Sequence, residues 1–372
     1  MLPARINPPQ RRLMGPGPSD VEPSVLEVMA LPTLGHLDPQ FLKIMDEIRY
    51  MLRALFSTEN ALTFPMSGTG SAGMETCFAN LIEPGDRVLI GINGVFGGRM
   101  VDVAQRCGAE VVTVEVPWGE TFTPDDFLQK ARGQRFDLMA LVHAETSTGT
   151  LQDLSGMRAV ADHLGALLLV DAVTSLGGHT VRVDDWGIDA IYSGTQKCLS
   201  CPPGLAPISF SSRASEKLEQ RSTPVQSWYL DLSMIGKYWG AERAYHHTAP
   251  INMLYGLHEA SRLALEEGLE ARIARHAQNA ARFREGLQAL GLNLPVAENI
   301  RLNPLTVIEI PSGIDDVSVR KHLLEQAGIE IGGGLGAFKG KVWRVGLMGA
   351  ASTKSNVDAC LSGLKNALNA QQ

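Results

Sequence analysis

Seven short apolar runs, separated by amphipathic stretches, are the feature that most constrains how this chain folds. The runs predict β-strands over residues 61–64, 87–90, 110–114, 138–142, 167–171, 190–193 and 205–210. The stretches between them predict helices over residues 71–81, 98–106, 124–132, 155–163 and 212–219. Strands that alternate with helices form a mostly parallel sheet covered on both faces, and ligands bind at the carboxyl ends of its strands. We therefore expect an α/β fold with a mostly parallel seven-stranded sheet.

The rest of the chain predicts an arm and a second, smaller domain. Residues 1–14 are rich in proline and arginine and show no periodicity, so we expect an extended arm rather than part of the core. A helical stretch interrupted near Gly268 leads into an α+β pattern, which contains strands near 305–310, 329–331 and 342–346, a helix capped near Asp315 or Asp316, and a helix opened by Ser352 or Thr353. The predicted divisions are an arm over 1–14, a large domain over 15–262 and a small C-terminal domain over 263–372.

Charge and cysteine content limit the class of partner and the compartment. The 372 residues carry a net charge of −7 from 33 basic and 40 acidic side chains, without a long run of one sign. This balance favours small molecules as partners over nucleic acid or a membrane surface. The 5 cysteines are odd in number and scattered, which indicates a reducing compartment. With no signal pattern and no apolar stretch of membrane-spanning length, a cytoplasmic location is expected.

One carboxylate and one lysine give the strongest chemical signal. Asp171 closes the apolar run at residues 167–171, and Lys197 follows the next predicted strand. Pyridoxal 5'-phosphate (PLP) chemistry requires an acid at the pyridine nitrogen and an amine at the aldehyde. Taken singly, an aspartate here also fits a metal ligand or a helix cap, and a lone lysine fits a solvated surface. The two together, in this order, predict a PLP site.

A glycine-rich turn predicts a phosphate site. Residues 67–71, SGTGS, lie between a predicted strand and a predicted helix, where backbone N–H groups and the helix dipole favour an anion. Residues 68–73 also match the dinucleotide pattern GxGxxG, so a nicotinamide-dependent dehydrogenase is an alternative. That alternative needs an acidic residue after the next strand, where Gly91, Ile92 and Asn93 stand. A plain turn without a ligand is the third interpretation.

Arg344 and Phe96 are further candidates for ligand contacts. Arg344 lies in an apolar strand, where its planar set of donors suits a substrate carboxylate, although a surface ion pair fits the same pattern. Phe96 either stacks on an aromatic cofactor or packs in the core.

No metal site is expected. Cys198 and Cys201 form a single CxxC with no second pair, and the other cysteines stand alone. His246 and His247 are adjacent in a presumed strand, so their side chains would point to opposite faces.

At these residues the chain resembles the class V, fold-type I PLP-dependent aminotransferases, specifically the alanine–glyoxylate and serine–glyoxylate (serine–pyruvate) aminotransferase group. The resemblance covers nearly the whole chain. It is carried in order by the segments GPGPSD, GHLDP, SGTGS, NGVFGGR, HAETSTG, LLLVDAVTSLGG, YSGTQK, PPG, YHHT, GGGLG and KVWRVGLMG.

The resemblance implies a role for each matching position. Lys197 would bind the cofactor aldehyde, Asp171 would pair with the pyridine nitrogen, and Arg344 would take the substrate carboxylate. Around the ring, Thr146 would lie beside it, Val173 under it and Phe96 over it.

The phosphate would be bound by Thr69, Gly70, Ser71 and Gln196, with Tyr245 and Thr248 reaching it from the partner subunit. The site would thus be complete only in a homodimer, with residues 1–14 crossing the partner.

Three positions depart from the alanine–glyoxylate pattern. Phe96 stands in place of tryptophan, Ser71 in place of histidine and Thr146 in place of serine. Phenylalanine still offers a ring face and threonine keeps the hydroxyl, while the loss of an imidazole at Ser71 bears on how tightly PLP is held.

The implied activity is a ping-pong transamination from a small amino acid, alanine or serine, to glyoxylate or a similar 2-oxo acid. Ureidoglycine, aminoethylphosphonate and kynurenine-type donors are alternatives within the same fold, because the shared motifs do not separate donors. A cysteine desulfurase is a weaker alternative, since Cys360 falls in a predicted helix. The dehydrogenase and a non-catalytic PLP-fold regulator are the alternatives from other classes.

Overall fold

The computed structural model describes residues 2–371. The strands are β1 (Arg12–Leu13), β2 (Leu62–Ser67), β3 (Arg87–Ile92), β4 (Glu110–Glu115), β5 (Leu138–Val142), β6 (Ala144–Glu145), β7 (Thr150–Leu151), β8 (Leu167–Asp171), β9 (Ala190–Tyr192), β10 (Leu205–Phe210), β11 (Leu305–Glu309), β12 (Ile329–Glu330), β13 (Gly332–Gly333) and β14 (Val342–Gly346). The α-helices are α1 (Pro23–Met29), α2 (Pro39–Phe56), α3 (Gly70–Leu81), α4 (Val95–Arg106), α5 (Pro124–Ala131), α6 (Met157–Leu164), α7 (Ser212–Glu219), α8 (Leu232–Trp239), α9 (Ile251–Glu267), α10 (Leu269–Ala289), α11 (Asp316–Ala327) and α12 (Lys354–Asn369).

A seven-stranded sheet forms the centre of the larger part of the chain. Its order is β2-β10-β9-β8-β5-β3-β4, and β10 runs antiparallel to both of its neighbours while the other pairings are parallel. Every residue of β5 and β8 is buried, as expected for strands covered by helices on both faces. The predicted α/β class, with its mostly parallel seven-stranded sheet, is confirmed.

A smaller antiparallel sheet organises the C-terminal part of the chain. Its order is β11-β14-β13, and it packs with α10, α11 and α12 around a second core that includes the fully buried Trp343. The first core extends as far along the chain as Ala264, and the second takes up α10 from Phe283 onward. The domain limits 15–262 and 263–372 remain a prediction.

The end of the N-terminal arm differs from its prediction. Residues 2–11 are exposed, but Arg12 and Leu13 pair in parallel with Ile329 and Glu330, and Met14 is fully buried in the second core. The last residues of the segment 1–14 are therefore part of the C-terminal fold. The sequence could not predict this pairing, because the segment has too few apolar residues to show a periodicity and a strand of two residues is too short to leave a pattern.

Two other regions differ from what the sequence analysis indicates. The sequence patterns assign no element between residues 15 and 60, where the structure has α1 and α2; the start of α2 does carry a signal, since Asp38 caps it and Pro39 is its first residue. The presumed strand around His246 and His247 is an irregular segment, in which the two Nδ1 atoms lie 2.8 Å apart.

Between residues 2 and 371 no helix is both long enough and apolar enough to cross a membrane.

Replacement of Met14 with alanine is expected to lower the free energy of unfolding by about 2–5 kcal/mol, because a fully buried side chain would leave a cavity in the second core. Urea-induced unfolding measures this change. Ile6→Ala, at a position 88% exposed, is the control and should change it by less than about 0.5 kcal/mol. Equal effects of the two changes would contradict the docking of this segment.

Candidate active site

A cavity of about 220 Å³ lies at the carboxyl ends of the parallel strands and beside the amino ends of α3 and α4. Such a position is where open parallel sheets bind ligands. The structure brings most of the predicted site residues together around it: Thr69, Gly70, Ser71, Phe96, Thr146, Asp171, Val173, Gln196 and Lys197. Met74, Arg99, Val142, Ala144, Thr174 and Tyr192 line it as well and were not predicted.

Asp171 ends β8 with its carboxylate almost completely buried. Oδ1 accepts a hydrogen bond from the Val173 N–H at 2.8 Å, and Oδ2 accepts one from the Tyr192 hydroxyl at 2.7 Å. Burial raises the pKa of Asp171 to about 6, although both hydrogen bonds act in the opposite direction. Two donors thus hold the carboxylate in a fixed orientation beside the cavity.

Tyr192 is a site residue that sequence reasoning missed. It lies in β9, which pairs in parallel with β8 so that Asp171 and Tyr192 are partners in register. Burial also raises the pKa of Tyr192 well above its ordinary value, so the hydroxyl stays protonated as a donor. A tyrosine closing an otherwise apolar strand is the available signal, because a buried phenol needs a hydrogen-bond partner.

Lys197 is buried, and burial lowers the pKa of its amine to about 8. The nearby positive charge of Arg344 acts in the same direction. The amine donates a hydrogen bond to the carbonyl of Pro16. The lysine therefore reaches a neutral form more readily than a solvated lysine, as a nucleophile or a base requires.

The N-terminal segment covers this lysine, which the sequence did not predict. Gly17 has a φ of +111°, and a Cβ at this position would lie 2.6 Å from Lys197 Nζ. Ser19 donates its hydroxyl to the Lys197 carbonyl at 2.6 Å. Only glycine fits at residue 17, for reasons of both backbone conformation and space.

The first turn of α3 forms the opposite side of the cavity. Thr69 precedes the helix, and its carbonyl accepts from the N–H groups of Ala72 and Gly73, so that among the described residues only the N–H groups of Gly70 and Ser71 are left without a partner in this turn. A Cβ on Gly70 would lie 2.9 Å from Val173 Cγ2, so glycine here lets the helix end approach the sheet closely. Gln196 also borders the cavity, and its side-chain NH2 group is a donor from which an anion can accept. These groups suit an anion at this side of the cavity.

Phe96 is held at its backbone by a buried acid. The fully buried Glu145 accepts hydrogen bonds from the Phe96 N–H at 3.1 Å and from the Ser147 N–H at 2.9 Å. Burial raises the pKa of Glu145, against the hydrogen bonds from Ser147. Glu145 was not singled out from the sequence, because its partner is distant along the chain. It fixes the start of α4, and with it the ring of Phe96.

Arg344 lies behind the cavity wall. Its Nε donates to the Gly333 carbonyl at 2.8 Å and its Nη1 to the Thr146 carbonyl at 3.2 Å. Burial lowers the pKa of the guanidinium, but an arginine remains charged. The strand β14 thus brings a positive charge from the C-terminal part of the chain to the edge of the site.

Like Arg344, the predicted residues Tyr245 and Thr248 do not line the cavity of their own chain. Both are exposed, and their hydroxyls lie 3.3 Å apart. The Tyr245 ring packs on His36, with centroids 4.8 Å apart.

Comparison with known proteins identifies the family. The model of the class-V aminotransferases matches residues 26–360. The (S)-ureidoglycine–glyoxylate transaminase of Bacillus subtilis (strain 168) is 42% identical over 97% of this chain and 91% of that protein. The alanine–glyoxylate aminotransferase of Callithrix jacchus is 41% identical over 97% of this chain and 88% of that protein. The crystal structure of an alanine–glyoxylate aminotransferase from Nostoc sp. has a TM-score of 0.98 and 50% identity, covering 99% of this chain and 98% of that one.

The chain belongs to the class V aminotransferases and is a PLP-dependent transaminase of fold type I. The predicted family, fold and cofactor are confirmed. The alternative in which the glycine-rich turn binds the nicotinamide cofactor of a dehydrogenase is rejected.

The residues present fit PLP. A buried carboxylate and a lysine of lowered pKa border one cavity, and the N-terminus of α3, with the hydroxyl groups of Thr69 and Ser71, borders the same cavity.

Asp171→Asn is expected to stabilise the cofactor-free protein at pH 8 by at most about 3 kcal/mol. Burial raises the pKa of Asp171 to about 6 in the folded protein. The contribution of Asp171 to the free energy of unfolding is therefore fully present below about pH 4, and it is lost as the pH rises through 6. The gain of the variant should therefore shrink as the pH falls toward 4. Urea unfolding at several pH values measures it, with the exposed Asp185→Asn as the control. A gain that does not depend on pH would contradict the burial of this charge.

Proposed function

We propose that the protein transfers an amino group from a small amino acid, alanine or serine, to glyoxylate or a similar 2-oxo acid by a ping-pong reaction. The observation that carries the proposal is the shared cavity of Asp171 and Lys197 in a member of this family. The names and similarity of the alanine–glyoxylate relatives support the choice of substrates.

The proposed roles follow from the geometry around the cavity. Bound PLP supplies an aldehyde and an electron-withdrawing ring. Asp171, oriented by Tyr192 and the Val173 N–H, holds a proton at the pyridine nitrogen. Lys197 binds the aldehyde. The ring is held by Phe96, Val173 and Thr146, and the phosphate by Thr69, Gly70, Ser71 and Gln196.

Lys197 is also the proposed base that moves a proton from the substrate Cα. Its pKa of about 8 lies close to physiological pH, where a base both accepts and returns a proton efficiently. The covering segment around Gly17 packs against the end of the Lys197 side chain and so limits the space in which the amine can move.

Arg344 is the proposed anchor for the carboxylate of both substrates. Its bonds to the carbonyls of Gly333 and Thr146 use two of the five N–H groups and fix the plane of the guanidinium. The remaining donors can bind a carboxylate in a bidentate manner. Because donor and acceptor share this carboxylate, one site serves both halves of the reaction.

Ureidoglycine is the second candidate donor. The Bacillus subtilis relative that carries this activity in its name matches the chain about as well as the alanine–glyoxylate enzymes do. Arg344 would take the carboxylate of this donor in the same way.

We further propose a homodimer with shared sites and a cytoplasmic location. Tyr245 and Thr248 are exposed and outside the cavity of their own chain, as expected of groups that reach a partner's phosphate. The exposed rings of Trp228 and Tyr229 contact the rings of His246 and His247 in the same region, each at an interplanar angle of 32°. Five buried free cysteines agree with a reducing compartment.

The visible absorption spectrum of the holoenzyme tests the proposed reaction. Addition of alanine, serine or ureidoglycine, each separately, should convert the cofactor to its amino form, and glyoxylate should restore it. The donor with the largest rate constant for conversion is the preferred one. Lys197→Ala should abolish turnover, while the exposed Lys321→Ala should not change it. No conversion by any of these donors would refute the proposed substrates.

Mixed dimers test the shared site. We expect Lys197→Ala and the double variant Tyr245→Ala/Thr248→Ala each to be poorly active at limiting PLP. When the two are unfolded together and refolded, mixed dimers contain one site in which both sets of residues are intact. Activity above the sum of the separate proteins is therefore expected. Simple additivity would show that Tyr245 and Thr248 do not serve a partner's site.

A further inference from the structure

We propose that Arg99 binds the phosphate of PLP and supplies the positive charge that this side of the cavity needs. The proposal rests on the proposed function, which places the phosphate at the first turn of α3. Arg99 had no role in the sequence-based assignment of the site.

Two contacts direct the Arg99 side chain toward that turn. The residue lies in α4, one helical turn after the start of the helix, and borders the cavity. Its Nη1 donates to Ser71 Oγ over 3.4 Å. Its Cζ lies 5.0 Å from the centroid of the Phe96 ring, within the range of a cation–π interaction. The guanidinium thus spans the gap between the two helix ends that enclose the proposed phosphate site.

The charges around the cavity favour this assignment. A phosphate ester carries nearly two negative charges at pH 7, whereas the side chains of Thr69, Ser71 and Gln196 are neutral donors. Among the described residues that line the cavity, the cationic side chains are those of Lys197 and Arg99. Lys197 lies under the Pro16 carbonyl and is needed at the aldehyde. Arg99 is left as the cation that can face the phosphate.

The size of Ser71 makes the approach possible. Its short side chain lets a guanidinium reach the first turn of α3, and a bulkier residue would occupy the same space. The helix dipole alone contributes typically 0.3–1 kcal/mol per charge, which corresponds to roughly a two- to fivefold change in affinity. A planar guanidinium with paired donors adds substantially to the affinity for a phosphate.

A competing role for Arg99 is purely positional. By packing on Phe96, the guanidinium could orient the ring that covers the cofactor, with no contact to the phosphate. The two roles differ in one measurable respect. Orientation of Phe96 affects PLP and its dephosphorylated analogue pyridoxal equally, whereas phosphate binding affects PLP alone.

Titration of the cofactor-free protein with PLP and, separately, with pyridoxal distinguishes these roles. Arg99→Gln should raise the Kd for PLP about tenfold, in keeping with the loss of a charge-assisted hydrogen bond, and should change the Kd for pyridoxal less than about twofold. Arg99→Lys should recover part of the PLP affinity. The PLP affinity of the wild-type protein should also fall more steeply with added salt than that of Arg99→Gln.

Arg106→Gln is the matched control, since Arg106 lies on the same helix, is exposed and pairs with Asp102. It should leave both affinities unchanged. Equal weakening of PLP and pyridoxal by Arg99→Gln, or no weakening of either, would overturn the assignment while wild-type binding of PLP still supports the proposed function. Failure of the wild-type protein to bind PLP would overturn both.

Discussion

The buried carboxylate of Asp171 is the constraint on which the site depends. An ionised acid inside an apolar sheet is unfavourable unless donors or a positive charge compensate it, and the raised pKa of Asp171 shows that its two hydrogen bonds do so only in part. A cation in the cavity would supply the missing compensation, as the protonated pyridine ring would under the proposed roles. The register of β8 and β9, which places Tyr192 beside Asp171, thus joins the sheet directly to the chemistry.

The other site groups come from separate parts of the fold. The amino ends of α3 and α4 contribute donors and the Phe96 ring, while β14 contributes Arg344 from the C-terminal sheet. Glu145 ties α4 to the loop after β5 and thereby keeps these parts in position. Several of these groups are in unfavourable environments; the charge of Arg344, for example, is buried. Bound cofactor and substrate are expected to compensate these charges.

The sequence predicted what depends on local pattern, and missed what depends on register and on distant pairing. Alternating apolar runs located the seven strands, and the ends of those runs located Asp171 and Lys197. Glu145 and Arg99 could not be found in this way, because each contacts a residue from another element, and Tyr192 left only the weaker signal of a phenol at the end of an apolar strand. The burial of Met14 also escaped prediction, since its neighbours in space lie near residue 329. The start of α2, in contrast, does carry a signal in the sequence, because a capping aspartate is followed by a proline at the first helical position.

The covering of Lys197 by Gly17 and Pro16 has a consequence for the order in which the chain assembles. This segment continues directly from β1, whose hydrogen-bonding partner β12 lies near the other end of the chain. In folding, this segment therefore takes its place over the lysine only when β12 is also available, although the two are far apart along the chain. Before that contact forms, the Lys197 amine lacks the cover of Pro16 and Gly17.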